Sequence, residues 1–197
     1  MSIPRDVIVI GAAEGGLAPL KKLTSHLPAS LPAAVLVALQ AHSDSLNVLA
    51  EIRDVHGNGA LPVSHARDGQ EIARGHIYLT PPDSELLVRA PGILGLQPRA
   101  TSREDRVAID RLFGSAADVF GYRVIGVILS GCDGDGTDGL KAIEKADGIG
   151  IVQAPEEADV PEMRNHALEH DRPHYIAPLD GLATLLKTLV GDGPSAG

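Results

Sequence analysis

The sequence is poor in cysteine: Cys132 is the only one in 197 residues. That excludes an intramolecular disulfide and any metal centre built from several thiolates. Tryptophan is absent, and 3 tyrosines and 2 phenylalanines supply all the aromatic bulk. The core must therefore be assembled from Ala, Val, Ile and Leu, a palette that suits a parallel sheet covered by helices. Positive charge is also short. Lys and Arg number 17 against 26 Asp and Glu, a formal net charge of −9. Such a surface repels phosphate backbones and anionic lipid, so neither nucleic acid nor a membrane is expected as a partner. The longest unbroken apolar stretch, Ala33 to Leu39, has seven residues, whereas a membrane-spanning helix takes about 20. The start, Met1-Ser2-Ile3-Pro4-Arg5-Asp6, has no signal-peptide pattern and leads straight into a strand, which points to the cytoplasm.

Hydrophobic residues make up 44% of the chain and charged residues 22%, enough apolar surface to close the core of one domain. Residues 1–190 read as that domain, without internal repeat or linker, and 191–197 as a flexible small-residue tail. Val7-Ile8-Val9-Ile10 is a β-branched run of the doubly buried kind. Leu17, Leu20, Leu23 and Leu27 follow at helical spacing, before Pro28 and Pro32. Ala33–Leu39 is the second strand, Ser45–Asp54 a helix with Leu46, Leu49 and Ile52 inward, and Leu61–Ser64 a short third strand. Ile77–Thr80, Leu86–Val88 and Ile93–Leu96, divided by Pro81-Pro82 and Pro91-Gly92, read as a small inserted β-ribbon, with a polar loop over 98–106. A helix over Ile109–Phe120 turns Ile109, Leu112, Phe113, Ala116 and Ala117 to one face. Val124–Leu129 and Gly150–Gln153 are strands, Thr137–Ala146, Pro161–Glu169 and Leu179–Leu189 helices, and Tyr175–Ala177 is extended.

Ligands of open parallel sheets gather outside the carboxyl ends of the strands, which singles out three loops: Gly11–Gly16, Gln40–Ser45 and Gly131–Gly136. The first lacks the glycine at position 13 that a dinucleotide fingerprint needs, yet has the outline of a nucleophile elbow with Ala13 at its tip. The reading favoured by spacing alone is a glycine turn serving helix–strand packing; a bare anion site is disfavoured because Glu14 already occupies the positive helix end. In the third loop, Asp133, Asp135, Thr137 and Glu144 fall at calcium-loop spacing, but Asp138 stands where that loop needs glycine. The remaining readings are helix N-caps, favoured for Asp133 and Asp138, and a catalytic carboxylate, favoured for Asp135 between two glycines. His166 and His170 are four apart, a spacing that could put them on one helix face, but two ligands do not make a site, and neither metal nor cofactor is expected. Cys132 is either a reactive thiol or a small buried hydrophobe.

Several ordered motifs carry a resemblance. Val7-Ile8-Val9-Ile10-Gly11-Ala12-Ala13-Glu14-Gly15-Gly16-Leu17, Gly75–Asp83, Ile128–Gly131 with Asp135-Gly136 behind, and Pro155–Ala158 before Met163-Arg164-Asn165 resemble the catalytic domain of the CheB chemotaxis receptor methylesterase family. The resemblance spans about residues 5–190. It implies a doubly wound, mostly parallel sheet flanked by helices, a three-layer α/β/α fold with a small inserted β-hairpin. It also implies hydrolysis of receptor glutamate methyl esters, or deamidation of receptor glutamines, by a Ser-His-Asp triad.

Carried over residue by residue, the triad is incomplete. The nucleophile position is Ala13, followed by Glu14 in place of a hydroxyl residue; the base position is Gln40; the acid is retained as Asp135. Cys132 falls where the family often has a Met beside the oxyanion hole. Ala cannot attack a carbonyl and Gln cannot take a proton at neutral pH, so the expectation is an inactive or impaired domain that binds a protein, such as a chemoreceptor or receptor-like helix. The family's chemotaxis enzymes usually carry a receiver domain ahead of this one, and a separate receiver protein is a second expected partner. The alternative is an active methylesterase or glutamine deamidase with a rewired site, in which His42 is the base and Ser43, Ser45, Ser130 or Cys132 attacks.

Overall fold

The computed structural model describes residues 4–13, 15–39, 48–55, 61–100, 107–129, 135–154 and 174–190. Seven strands form one sheet: β1 (Val7–Ala12), β2 (Ala34–Leu39), β3 (Val63–His65), β4 (His76–Leu79), β7 (Val124–Ile128), β8 (Ile149–Gln153) and β9 (Tyr175–Ala177). Their order is β3-β4-β2-β1-β7-β8-β9 and every pairing is parallel. The chain first winds outward from β1 through β2 and then returns to β7 on the other side of β1, so the topological switch lies between β1 and β7. This is the doubly wound α/β fold.

The strands are Val- and Ile-rich because both faces of the sheet are covered. On one face Ile8, Ile10, Val35, Val37, Val127 and Ile151 pack with Leu20 and Leu23 of α1 (Leu17–Ser25), Ile52 of α2 (Val48–Val55), and Leu182 and Leu186 of the last helix, α5 (Leu179–Leu189). On the other, Val7, Val9, Leu36 and Val152 meet α3 (Ala108–Phe120) and α4 (Thr137–Lys145). α3 buries the five residues its periodicity assigns: Ile109, Leu112, Phe113, Ala116 and Ala117.

A separate antiparallel hairpin, β5 (Ser84–Arg89) with β6 (Ile93–Pro98), leans on α3 through Leu86, Val88 and Leu94. One assignment changes here. Ile77–Thr80 is not part of this ribbon; its strand, β4, lies inside the main sheet between β2 and β3, with Ile77 opposite Val35. Among the described residues no helix is long and apolar enough to cross a membrane. The helix predicted over Pro161–Glu169, the tail at 191–197, and residues 101–106 of the 98–106 loop lie outside the described residues. So does Leu46, predicted to face inward.

Candidate active site

The switch-point crevice is framed by the ends of β1 and β7 and by the first turns of α1, α3 and α4. β1 leaves the sheet at Ala12, and the Gly16 N–H closes a tight turn on the Ala13 carbonyl at 2.8 Å. Gly15 takes φ 79° inside that turn, a value glycine tolerates. Ala13 itself is buried, with 6% of its surface exposed, and does not take a positive φ. The strand–turn–helix outline read from the glycines is therefore present, without backbone strain at its tip.

Gly11 has a packing reason to be glycine. A Cβ there would sit 2.4 Å from Ile109 Cγ2, and one on Gly136 (φ 100°) would sit 2.9 Å from the same atom. Ile109 thus wedges the start of α3 between the end of β1 and the start of α4.

Asp135 holds that start in place. It is 4% exposed, and its Oδ2 accepts the Ile109 N–H at 3.0 Å while Oδ1 accepts the Asp110 N–H at 2.9 Å. α3 has no capping side chain of its own at Val107, so Asp135 supplies the cap from another element, satisfying donors that would otherwise be orphaned. Asp110, third residue of α3, returns the favour. Its Oδ1 accepts the N–H groups of Gly136 at 3.0 Å and Gly139 at 2.6 Å, at the first turn of α4. Each helix is capped by a carboxyl of the other's opening, and the two carboxyls also hydrogen-bond each other.

Burial raises both acids. It pushes Asp135 up to about 7 against the pull of the Asp110, Ile109 and Gly136 N–H groups, and the Asp110 charge raises it further. Asp110 is raised by its own burial and by the Asp138 charge. The two carboxyls titrate together as a pair rather than independently.

Two sequence expectations are thereby placed. Asp135 does lie at the crevice beside β1 and β7. Asp138 is not the helix cap: its side chain is exposed and pairs with Lys141 at 3.3 Å, and the capping of α4 falls to Asp110. Asp110 escaped the sequence reading because a cap supplied from another helix leaves no local signature. Gln153 escaped too. It is wholly buried at the end of β8 between apolar rows, and neither atom of its amide has a partner among the described residues. Gln40, His42, Cys132, Asp133 and Glu14 lie outside the described residues, as do Ser43, Ser45, Ser130, His166 and His170.

Fold and crevice together define a doubly wound α/β domain with a glycine turn at the end of β1 and a buried acid, Asp135, at the start of α4. The family follows from comparison with known proteins: residues 8–186 match the CheB methylesterase family model, and the chain belongs to that family. Its relatives include a Methanosarcina acetivorans protein-glutamate methylesterase/protein-glutamine glutaminase, 30% identical over 95% of this chain and 54% of that one. A Myxococcus xanthus protein of the same name is 32% identical over 91% of this chain and 50% of its own length. This chain therefore spans about half of those two relatives. A Leptospira interrogans protein, provisionally given that name, is 29% identical over 91% of this chain and 92% of its own. The crystal structure of the Thermotoga maritima CheB methylesterase catalytic domain superposes with a TM-score of 0.83 at 23% identity, covering 95% of this chain and 100% of that one.

Proposed function

We propose that this chain is a CheB-type domain that has lost the acyl-enzyme route and works in cytoplasmic chemotactic signalling by binding a protein partner, a chemoreceptor or receptor-like helix, with a separate receiver protein as a second candidate. The observation that carries the reading is Ala13. The turn that presents a nucleophile in the resemblance presents a buried methyl group here. Gln40 at the base position compounds the loss, since neutral glutamine accepts no proton. Without nucleophile and base, what survives of such a site is of order a thousandfold oxyanion-type stabilisation, with Cys132 at the oxyanion position.

Asp135 fits the reading because it has a reason to persist without a triad. Both of its oxygens serve the first turn of α3, and removing a cap of this kind costs roughly 1 kcal/mol or more. Methanol release from methylated chemoreceptor is the test. The expected result is a rate equal to that of receptor alone. Turnover that is abolished by Asp135→Ala would establish instead the rewired site centred on His42.

A further inference from the structure

A second feature lies on the other side of the start of α3. A shallow cleft, open to solvent, lies over the carboxyl ends of β2, β3 and β4 and reaches Ala108, the first residue of α3. Its wall carries hydrogen-bond donors that the fold leaves idle. Arg74, Arg89, Arg111 and Arg123 each hold a carboxylate. Arg99, which lines the cleft, has no side-chain partner among the described residues. His65 lines the same cleft, and its Nδ1 is buried with no hydrogen-bond partner. Ser84, at the start of β5, adds a hydroxyl without a side-chain partner among the described residues.

We propose that this cleft is a carboxylate-binding site in which the Arg99 guanidinium anchors the anion, Ser84 supplies a further hydrogen bond, the His65 ring forms part of the wall, and Leu39 and its apolar neighbours seat the ligand's hydrocarbon body. The planar guanidinium fork matches a carboxylate with two parallel bonds. The charge balance selects a monoanion over a phosphate. One arginine faces the cleft, Asp83 is exposed at its rim, and the first-turn N–H groups of α3 that would favour a dianion are already taken by Asp135. The proposal deepens the binding reading above by naming the chemistry bound. It rests on none of the groups that decide ester turnover, so the two fail separately.

The test is an NMR titration of the full chain with hexanoate and with hexanamide, its neutral near-isostere. Hexanoate is expected to move the His65 imidazole and Arg99 Nε resonances saturably, and hexanamide to bind at least tenfold more weakly. Arg99→Met should weaken hexanoate at least tenfold, while Arg99→Lys, which keeps the charge and loses the fork, recovers part of it. An unchanged Tm confirms that Arg99→Met is folded; if it is not, Arg99→Gln is read in its place. A helical peptide with one central Glu, set against its Gln counterpart, separates two sources of the carboxylate. Tighter binding than hexanoate by the Glu peptide alone assigns it to a partner protein's side chain, and equal or weaker binding to a small molecule. Equal affinity for hexanamide, an unchanged hexanoate Kd in a folded Arg99 variant, or no saturable shift overturns the proposal.

Discussion

Replacing Asp135 by Asn should change the sign of its effect on stability with pH. In the native chain burial lifts the Asp135 carboxyl to about 7, against an ordinary value of 3.8. The folded state therefore holds a proton that the unfolded chain releases. The stabilisation is complete below the unfolded value of 3.8 and is lost as pH rises through about 7. Linkage converts this into about 2–3 kcal/mol of stability lost between pH 5 and pH 8, a magnitude shared with Asp110 because the pair titrates together. Asn removes the charge but turns one acceptor into a donor facing an α3 N–H, which costs about 1 kcal/mol of capping. At pH 5, Asp135→Asn should be the less stable protein by about 1 kcal/mol, and at pH 8 the more stable by about 1–2 kcal/mol. Urea unfolding of both proteins across this range gives the difference, in which the altered titration of the partner Asp110 is included. A difference that stays constant with pH, or runs the opposite way, refutes the reciprocal carboxyl pair.

Three further outcomes follow from the packing. Gly11→Ala places a Cβ 2.4 Å from Ile109 Cγ2 and should cost about 1–3 kcal/mol, part of it recovered in an Ile109→Ala background, as read by Tm of the single and double variants. Asp6 is almost wholly buried and accepts from Arg123 Nε at 2.8 Å and Nη2 at 2.9 Å, with Arg74 also paired to it; Asp6→Ala should destabilise by about 3 kcal/mol in chemical denaturation, because two cations lose their counter-charge. Glu85 is buried, which alone would push its carboxyl up, but hydrogen bonds from Gln97, Arg111 and Ala100 and the Arg111 charge hold it below the ordinary value. Its stabilisation is therefore present above the unfolded value and lost as pH falls through the folded one. Glu85→Gln should cost about 2 kcal/mol at pH 7 and flatten the acid limb of the stability profile.

Much of the fold was legible because doubly buried parallel strands write themselves as unbroken Val/Ile runs and α3 shows a single apolar stripe. Ile77–Thr80 was misassigned for a physical reason. A four-residue apolar piece carries no sign of its partner, and the Pro81-Pro82 that follows looks the same whether it opens a hairpin or ends a central strand. At the site, Asp135 stood out because glycines flank it and a resemblance pointed to it. Its partner Asp110 did not, since their pairing exists only once α3 and α4 dock. That docking is set by Gly139, where a Cβ would meet Phe113 Cβ at 2.6 Å. No spacing rule along the chain encodes a contact of this kind.

The absence of a working acyl nucleophile is the account's central claim, and intact-protein mass spectrometry after exposure to a serine- and thiol-directed acylating probe reads it most directly. The native chain is predicted to gain no adduct between residues 40 and 137 at pH 7, while an Ala13→Ser, Gln40→His variant serves as the comparison with the triad side chains restored. A stoichiometric adduct on the native chain, mapped to Ser43, Ser45, Ser130 or Cys132 and lost in Asp135→Ala, would contradict the account and establish a rewired hydrolase.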